Sequence, residues 1–306
     1  MAGIVSYLNA LPNPYGTVTI DPSASVVAYV RATQLPNQSS EVQNKWVPDI
    51  ASGLARCRSG RNDIVVLMQG HTENISATTF SGLVAGTRIV GLGRGSNRPN
   101  LRWTATTSQL ALNKADCIIS NCILRMEGAV VVKAVAVTAA DCGIIGCDID
   151  MGSTASTNLS TIGIEIGAGA DRFELRNNYI HTIALATPTT IVSVAGVCDG
   201  AVIMDNKIYG ATSAAAIGVV HISAAATNLE IARNVFWNKL AASTACFSTT
   251  SAISTGAVYE NYGRCETDTT QANVFLFTAG SLLSPFQNFA TDKPILSGLL
   301  SPVVVT

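Results

Sequence analysis

Apolar and polar residues alternate in short segments along most of the chain, and turns rich in Gly, Asn, Asp, Ser and Thr separate these segments. Alternation over about four to eight residues is typical of β-strands with one buried face. The segments recur around one marker position, which is occupied by Cys122, Cys147, Asn178, Asn206, Asn234 and Asn261, at intervals of 25, 31, 28, 28 and 27 residues. A repeat of this length predicts a solenoid in which each repeat forms one coil.

Each repeat also holds a second apolar segment before the marked one, as in residues 129–132, 162–166, 191–194 and 217–222. Two earlier segments, 63–68 and 87–93, continue the same spacing toward the N-terminus. A leucine-rich repeat has a similar period, but its leucine and asparagine consensus is absent here. Two or three short strands per coil, closed by polar turns, predict an all-β solenoid.

The marker residues have a structural explanation that requires no chemistry. In stacked coils, equivalent positions lie about 4.8 Å apart. Asparagine suits a turn, because it bonds the local backbone and tolerates the left-handed conformation. Stacked asparagine side chains also bond one another. We therefore expect a ladder of Asn178, Asn206, Asn234 and Asn261, which Cys122 and Cys147 continue as small buried residues.

A short helix is predicted before the first strand, because Ile50, Leu54 and Cys57 have helical spacing and Asp49 is a suitable N-cap. Residues 62–72 (NDIVVLMQGHT) and 88–93 (RIVGLG) follow it. This arrangement resembles the pectate-lyase-like β-helix superfamily, whose members open with a short helix and a Gly-Asp-x-Ile-x-Val-x-Pro-Gly-x-Tyr phrase. Gln69 stands where that phrase has proline.

The resemblance covers about residues 47–280. It implies a right-handed, single-stranded parallel β-helix with a short N-terminal capping helix. It says little about function, because this superfamily includes lyases, hydrolases and inert scaffolds.

Three regions are expected along the chain. Residues 46–280 form the β-helix, residues 1–45 an N-terminal arm or contact segment, and residues 281–306 a C-terminal extended segment. Strand-like stretches at 16–20 and 26–30 favour an arm that packs on another subunit, and a disordered tail is the alternative. The apolar C-terminal end is expected to pack on its own solenoid or on a neighbour.

Charge and cysteine content narrow the classes of partner. Only 13% of the residues are charged and the net charge is −1. Because the sequence lacks the broad positive charge that attracts nucleic acid or a membrane surface, neither is expected as a partner. No apolar run is long enough to span a membrane, and the first residues lack the features of a signal peptide. The eight cysteines are read as core side chains rather than metal ligands or disulfides. We expect no metal and no cofactor.

Carboxylates supply the only candidates for catalysis. A glycosidase needs two carboxyl groups on either side of the scissile bond. Asp148 and Asp150, two apart on one strand, could act with Glu165, and a second possible pair is Glu174 with Asp205. A lyase would instead use Asp148 and Asp150 for a cation, with Arg172 and Arg176 against a uronate. The alternative interpretation is that all of these are solvated surface residues.

Aromatic and histidine residues add little to the case for catalysis. The three tryptophans at positions 46, 103 and 237 are far apart in the repeat and predict only a meagre sugar-binding groove. The three histidines at positions 71, 181 and 221 have neither triad nor metal spacing.

The function expected from the sequence is that of a non-enzymatic structural protein of a tailed-phage virion, most plausibly a capsid decoration or cement protein. This expectation rests on the missing catalytic constellation, on the thinly charged solenoid, and on a resemblance to β-helical proteins of tailed phages. It implies a homotrimer bound to the major capsid protein or another virion protein, on the capsid surface rather than the tail. The alternative is a tailspike or receptor-binding protein that binds or cleaves a host polysaccharide, as a lyase or glycoside hydrolase.

Overall fold

The computed structural model describes residues 26–31, 40–76, 78–79, 82–127, 131–152, 160–182, 188–214, 217–241, 243–266, 274–291 and 301–302. Within these ranges the chain is a right-handed parallel β-helix with three sheets, which confirms the predicted fold class. Along the chain, each full coil contributes one strand to the first sheet, one to the second and one to the third. None of the described helices has the length and apolar character that a membrane crossing requires.

The first sheet has 11 described strands, and the second and third sheets have 10 and 8. The first sheet contains, in spatial order, Trp46–Val47, Val26–Val30, Ile64–Leu67, Arg88–Gly91, Ile118–Ser120, Gly143–Ile145, Glu174–Arg176, Val202–Met204, Leu229–Ala232, Thr255–Tyr259 and Leu282–Phe286.

The second sheet contains Thr72–Ile75, Asn100–Trp103, Ile123–Met126, Asp148–Asp150, Tyr179–His181, Lys207–Gly210, Val235–Asn238, Tyr262–Cys265, Phe289–Thr291 and Ser301–Pro302. The third contains Thr78–Thr79, Gln109–Leu112, Val131–Val137, Ser160–Ile166, Thr190–Val194, Val220–Ile222, Phe247–Thr249 and Phe275–Leu276. Described strand pairs are parallel except the last one in the second sheet, where Ser301–Pro302 runs antiparallel to Phe289–Thr291.

The core is a set of apolar columns inside the helix. In the first sheet, Ile119, Ile144, Leu175, Ile203 and Ile231 occupy the same register position in successive coils, and each is fully buried. Burying one such side chain contributes about 1.5–3 kcal/mol. Because every coil repeats the contribution, the stability of the fold grows with the number of coils.

The turn between the first and second sheets has one conformation throughout. The residue before each marker position is left-handed, with φ between 52° and 64°. These residues are Asn121, Gly146, Asn177, Asp205, Arg233, Glu260 and Gln287. Glycine, asparagine and aspartate tolerate this region, whereas arginine and glutamate adopt it only at a cost. The turn is therefore held by interactions other than the preference of its own residue.

Hydrogen bonds between stacked asparagines provide those interactions. The side-chain oxygen of Asn206 accepts from the backbone N–H of Asn178 at 2.9 Å and from the Asn178 amide at 3.0 Å. The Asn206 amide donates to the Leu175 carbonyl at 2.7 Å and to the Asn234 side chain at 3.0 Å. The same pattern joins Asn234 to Asn261. Each buried amide thus binds the preceding coil and the next coil.

The ladder extends one coil further than the repeat analysis placed it. Asn261 donates from its backbone N–H and its amide to the side-chain oxygen of Asn288, at 3.1 and 3.0 Å. At the other end, the backbone N–H of Cys147 donates to Asn178 at 2.9 Å. The thiols of Cys147 and Cys122 lie near the carbonyl oxygens two residues before them, at 3.7 and 3.3 Å.

A helix at Ile50–Leu54 lies against the first coil. The Asp49 side chain accepts from the Ser52 backbone N–H at 2.7 Å, which confirms the predicted N-cap. Ile50 and Leu54 are buried. The Ile50 N–H donates to the Glu73 side chain at 3.0 Å, which ties the helix to the second sheet. A further helix, Ser40–Lys45, and a 3₁₀ turn, Gly95–Asn97, complete the described helices.

The sheets reach beyond the boundaries expected for the solenoid. The strand Val26–Val30 pairs in parallel with Ile64–Leu67, so a segment assigned to the N-terminal arm lies in the first sheet. At the other end, Leu282–Phe286 and Phe289–Thr291 continue the first and second sheets past residue 280. The added strands pair with backbone N–H and C=O groups of the neighbouring coils, which would otherwise be exposed at the open ends of the solenoid. The strand-like stretch 16–20 and residues 303–306 lie outside the described residues.

All eight cysteines are buried and free. Burial raises the pKa of Cys117 to about 12 and that of Cys147 to about 11, because a thiolate is poorly solvated in the apolar interior. These thiols are therefore core side chains, as the sequence indicated.

Replacing one ladder residue should destabilise the fold measurably. Asn206→Ala removes four hydrogen bonds and leaves buried donors without partners. We expect the free energy of unfolding to fall by about 3 kcal/mol, since each orphaned buried group costs about 1–3 kcal/mol. Urea unfolding followed by circular dichroism measures the change.

The matched control is Asn97→Ala, an exposed asparagine in the 3₁₀ turn. It should shift the unfolding midpoint little. Equal midpoints for the two variants would contradict a stabilising role for the ladder.

The buried thiols give a second prediction. Native protein should react with a thiol reagent such as dithionitrobenzoate on the timescale of unfolding only, because the reactive thiolate is disfavoured and covered. Eight thiols should titrate after denaturation. Rapid stoichiometric labelling of the folded protein would show that at least one thiol is accessible.

Candidate functional site

Among the described residues, charged and aromatic side chains are concentrated on the outward surface of the second sheet. Two columns of side chains point outward there, because alternate residues of each strand face the solvent. One column runs through Arg102, Arg125, Asp150, His181, Tyr209, Trp237 and Arg264. The other runs through Asn100, Ile123, Asp148, Tyr179, Lys207, Val235 and Tyr262.

The N-terminal part of this surface is a network of ion pairs. Asp148 lies 3.0 Å from an Arg98 nitrogen through one oxygen and 3.1 Å from His181 Nε2 through the other. Asp150 contacts Arg125 Nε at 3.2 Å and accepts from the Gly152 N–H at 3.3 Å. Each oxygen of the two carboxylates therefore lies within 3.3 Å of a nitrogen atom of the scaffold.

Glu127 joins Arg125 to one further cation. Its oxygens lie 3.4 Å from Arg102 and 3.5 Å from Arg125. Three arginines and three carboxylates from neighbouring coils thus make up the network, which compensates its own charge.

The other carboxylate candidates lie on different parts of the helix. Glu165 belongs to the third sheet, and its oxygen is 2.6 Å from Lys133 Nζ. No described hydrogen bond or ion pair joins it to Asp148 or Asp150, because the second and third sheets face different directions.

Glu174 and Asp205 also have separate cationic partners. Glu174 pairs with Arg176 at 3.2 Å, and Asp205 with Arg233 at 2.8 Å. The structure therefore does not bring Glu174 and Asp205 together as a pair of catalytic carboxylates.

Arg172 is engaged at the surface rather than at a substrate site. It binds both oxygens of Asp141 at 2.7 Å, and this hydrogen-bonded guanidinium lowers the pKa of the Asp141 carboxyl. Arg176 also contacts the Met204 sulfur at 2.9 Å. The arginines considered for a uronate thus hold neighbouring coils together.

The C-terminal part of the same surface is aromatic and cationic. A depression of about 380 Å³ is lined by Tyr179, Lys207, Tyr209, Trp237 and Lys239. We call it the aromatic groove. The ring centroids of Tyr179 and Tyr209 are 5.7 Å apart, and those of Tyr209 and Trp237 are 5.9 Å apart. Both pairs are edge-to-face, a favourable geometry for aromatic rings.

Cations and one carboxylate orient the tryptophan of the aromatic groove. Arg264 Cζ lies 4.3 Å from the Trp237 ring centroid and Lys239 Nζ lies 5.0 Å from it, within cation–π range. The indole N–H of Trp237 donates to Glu266 at 2.7 Å. Burial raises the pKa of Tyr209 above its usual value, which keeps its hydroxyl a hydrogen-bond donor.

The expectation of a meagre sugar-binding groove rested on the small number of aromatic residues and on the distance between the tryptophans along the chain. Trp103 is buried, with its indole N–H bonded to the Ala134 carbonyl at 3.1 Å. The groove combines Trp237 with two tyrosines from neighbouring coils. The repeat contained a signal for it, since His181, Tyr209, Trp237 and Arg264 each lie three residues after a marker asparagine.

The remaining histidines have structural partners. His71 is buried and its Nε2 lies 3.0 Å from Glu73. His221 Nδ1 lies 2.8 Å from the Ser248 hydroxyl. In the described parts of the chain, no three His, Cys, Asp or Glu side chains are grouped so that they could hold a metal ion.

Comparison with protein-family models gives no match, and comparison with curated proteins gives none either. No matched protein therefore assigns a role to the second-sheet surface, and its chemistry follows from its own geometry.

His221 gives a prediction for the dependence of stability on pH. Burial lowers its pKa below the ordinary value of about 6.5, so the unfolded chain binds this proton more readily than the folded one. Its contribution to stability is complete above pH 6.5 and is lost as the pH falls toward the folded pKa. The free energy of unfolding should decrease between about pH 7 and pH 5 less steeply in His221→Gln than in the parent chain. Identical slopes in urea titrations would show that the ring does not titrate differently on folding.

Proposed function

We propose that this chain is a non-enzymatic structural protein of a tailed-phage virion, with capsid decoration as its role and a homotrimer as its assembly. The observation that carries the proposal is the occupation of the candidate carboxylates. Asp148, Asp150 and Glu165 each contact a cation of the scaffold itself. A glycosidase would require two carboxyl groups facing the scissile bond of a bound sugar.

The thinly charged chain supports the proposed assembly. Only 13% of its residues are charged, compared with about 25% in typical domains. Few charges would lose water when solenoids pack side by side or on a capsid protein, which favours extended protein–protein contacts. The resemblance to β-helical phage proteins points to the same class. In this proposal the protein binds itself and the major capsid protein, or another virion protein, on the capsid surface.

A second candidate function is that of a tailspike-like receptor-binding protein. The observation in its favour is the aromatic groove, because aromatic side chains beside polar groups are typical of small-molecule binding surfaces. This candidate shares the fold with the first and differs in its place on the particle.

Location in the particle tests the two candidates. Particles of the phage that encodes the chain would be labelled with gold-coupled antibodies raised against the recombinant protein. We expect label distributed over the heads. Label confined to the tail would replace the first candidate by the second, and unlabelled particles from which the protein is also absent by mass spectrometry would contradict both.

The assembly has its own measurement. Light scattering coupled to gel filtration should give a mass three times the 31.8 kDa of the chain. A monomer at micromolar concentration would contradict the trimer and would leave the location experiment unaffected.

A further inference from the structure

The two lysines of the aromatic groove differ from the other cations on the second-sheet surface. Arg98, Arg102 and Arg125 each lie within 3.5 Å of a carboxylate oxygen. Lys207 and Lys239 form no ion pair with any residue that the structure describes, although both line the same depression. Two ammonium groups that line one depression without a carboxylate partner make its potential positive, and a bound anion would be attracted to it.

Nearby charges increase the positive character of the aromatic groove. Arg264 contacts the face of Trp237, and its Nε is buried without a hydrogen-bond partner among the described residues. Glu266 is the carboxylate beside these groups, and it accepts the indole N–H of Trp237 and lies 4.0 Å from Arg264. Two cations and one carboxylate therefore contact Trp237, and Lys207 lines the same depression.

The aromatic walls of the groove favour a ligand that has sugar rings as well as a negative charge. Tyr179, Tyr209 and Trp237 come from three successive coils, so their spacing along the helix axis follows the strand separation of about 4.8 Å. That step is close to the length of one residue of an extended sugar chain. Ring faces and edges pack against the C–H surfaces of pyranose rings, and the tyrosine hydroxyls bond sugar hydroxyls.

We infer that the aromatic groove binds a saccharide that carries an anionic substituent, a carboxylate or a phosphate, with that substituent between Lys207 and Lys239. The sugar rings lie against Tyr209 and Tyr179, and the chain continues toward His181 and the ion-paired network. That network presents both donors and acceptors to hydroxyl groups and is compensated in charge. The inference holds for a protein on the capsid as for one on the tail, so it does not depend on the proposed function.

Single-stranded nucleic acid is the rival ligand, because bases stack on aromatic rings and lysines bind phosphates. The surface disfavours it. A phosphodiester carries one charge per nucleotide, so a backbone along the columns would bring further phosphates against Asp148 and Asp150, whereas a saccharide with one charged substituent would not. The chain also has a net charge of −1, and the described surface of the second sheet has no continuous cationic track.

Binding can be measured on the full-length protein through tryptophan fluorescence and calorimetry. The probes are a glucose tetrasaccharide with one terminal glucuronate, a glucose tetrasaccharide with one terminal 6-phosphate, the neutral glucose tetrasaccharide, inorganic phosphate and oligothymidylate. We expect the glucuronate or the phosphorylated oligomer to bind at least about tenfold more tightly than the neutral one, as one charge-assisted contact provides. Which of the two binds better distinguishes a uronic acid from a sugar phosphate.

Variants locate the site and separate its parts. Lys207→Gln and Lys239→Gln should each weaken binding of the acidic tetrasaccharide by about tenfold or more. Tyr209→Leu should weaken the acidic and neutral oligomers alike, because it removes a wall and leaves the charges. The matched control is Lys114→Gln, an exposed lysine on a turn outside the second sheet. Circular dichroism and the thermal midpoint check that each variant is folded.

Several outcomes would overturn the inference. Inorganic phosphate that binds as tightly as the acidic sugars would reduce the site to an anion site with no role for the rings. Preferential binding of oligothymidylate would replace the saccharide by nucleic acid. Affinities for the acidic tetrasaccharides that are unchanged in the lysine variants, or no binding at millimolar concentration, would remove the aromatic groove as a sugar site.

Discussion

The structure depends on one constraint, the exact stacking of successive coils at the turn between the first and second sheets. A buried amide in that turn must bond both the preceding coil and the next one, and only an in-register stack at one strand spacing allows this. The hydrogen bonds from Asn178 to Asn288 meet the requirement at every step. They also hold Arg233 and Glu260 in a left-handed conformation that neither residue favours.

The same stacking sorts the surface into columns. Because each strand sits on the previous one without a shift, an outward side chain meets its counterpart in the next coil at close range. On the second sheet this places carboxylates over arginines at one end and aromatic rings over one another at the other. At one end the charged side chains form ion pairs with each other and stabilise the scaffold. At the other end, Lys207 and Lys239 form no ion pair with a described residue. The difference between the two ends, rather than any single residue, makes the aromatic groove a candidate for binding.

The repeat register relates surface residues as well as the buried marker positions. The coil period and the marker position predicted the parallel β-helix, and the same register relates His181, Tyr209 and Trp237 as residues three after a marker. Asn288 lies 27 residues after Asn261 and follows from the same spacing. In contrast, Glu165 was expected to meet Asp148 and Asp150 from an adjacent coil, but it lies on the third sheet and they lie on the second.

The sequence by itself determined the class of fold, because hydrophobic alternation and a repeat of 25–31 residues allow few structures other than stacked coils. It also determined that the cysteines and marker asparagines lie inside. Only the tertiary structure decided which charges are compensated. Ion pairing depends on distances of about 3 Å between side chains that are 28 residues apart for Asp205 and Arg233 and 50 residues apart for Arg98 and Asp148. The stacking of coils and the direction of each side chain set these distances.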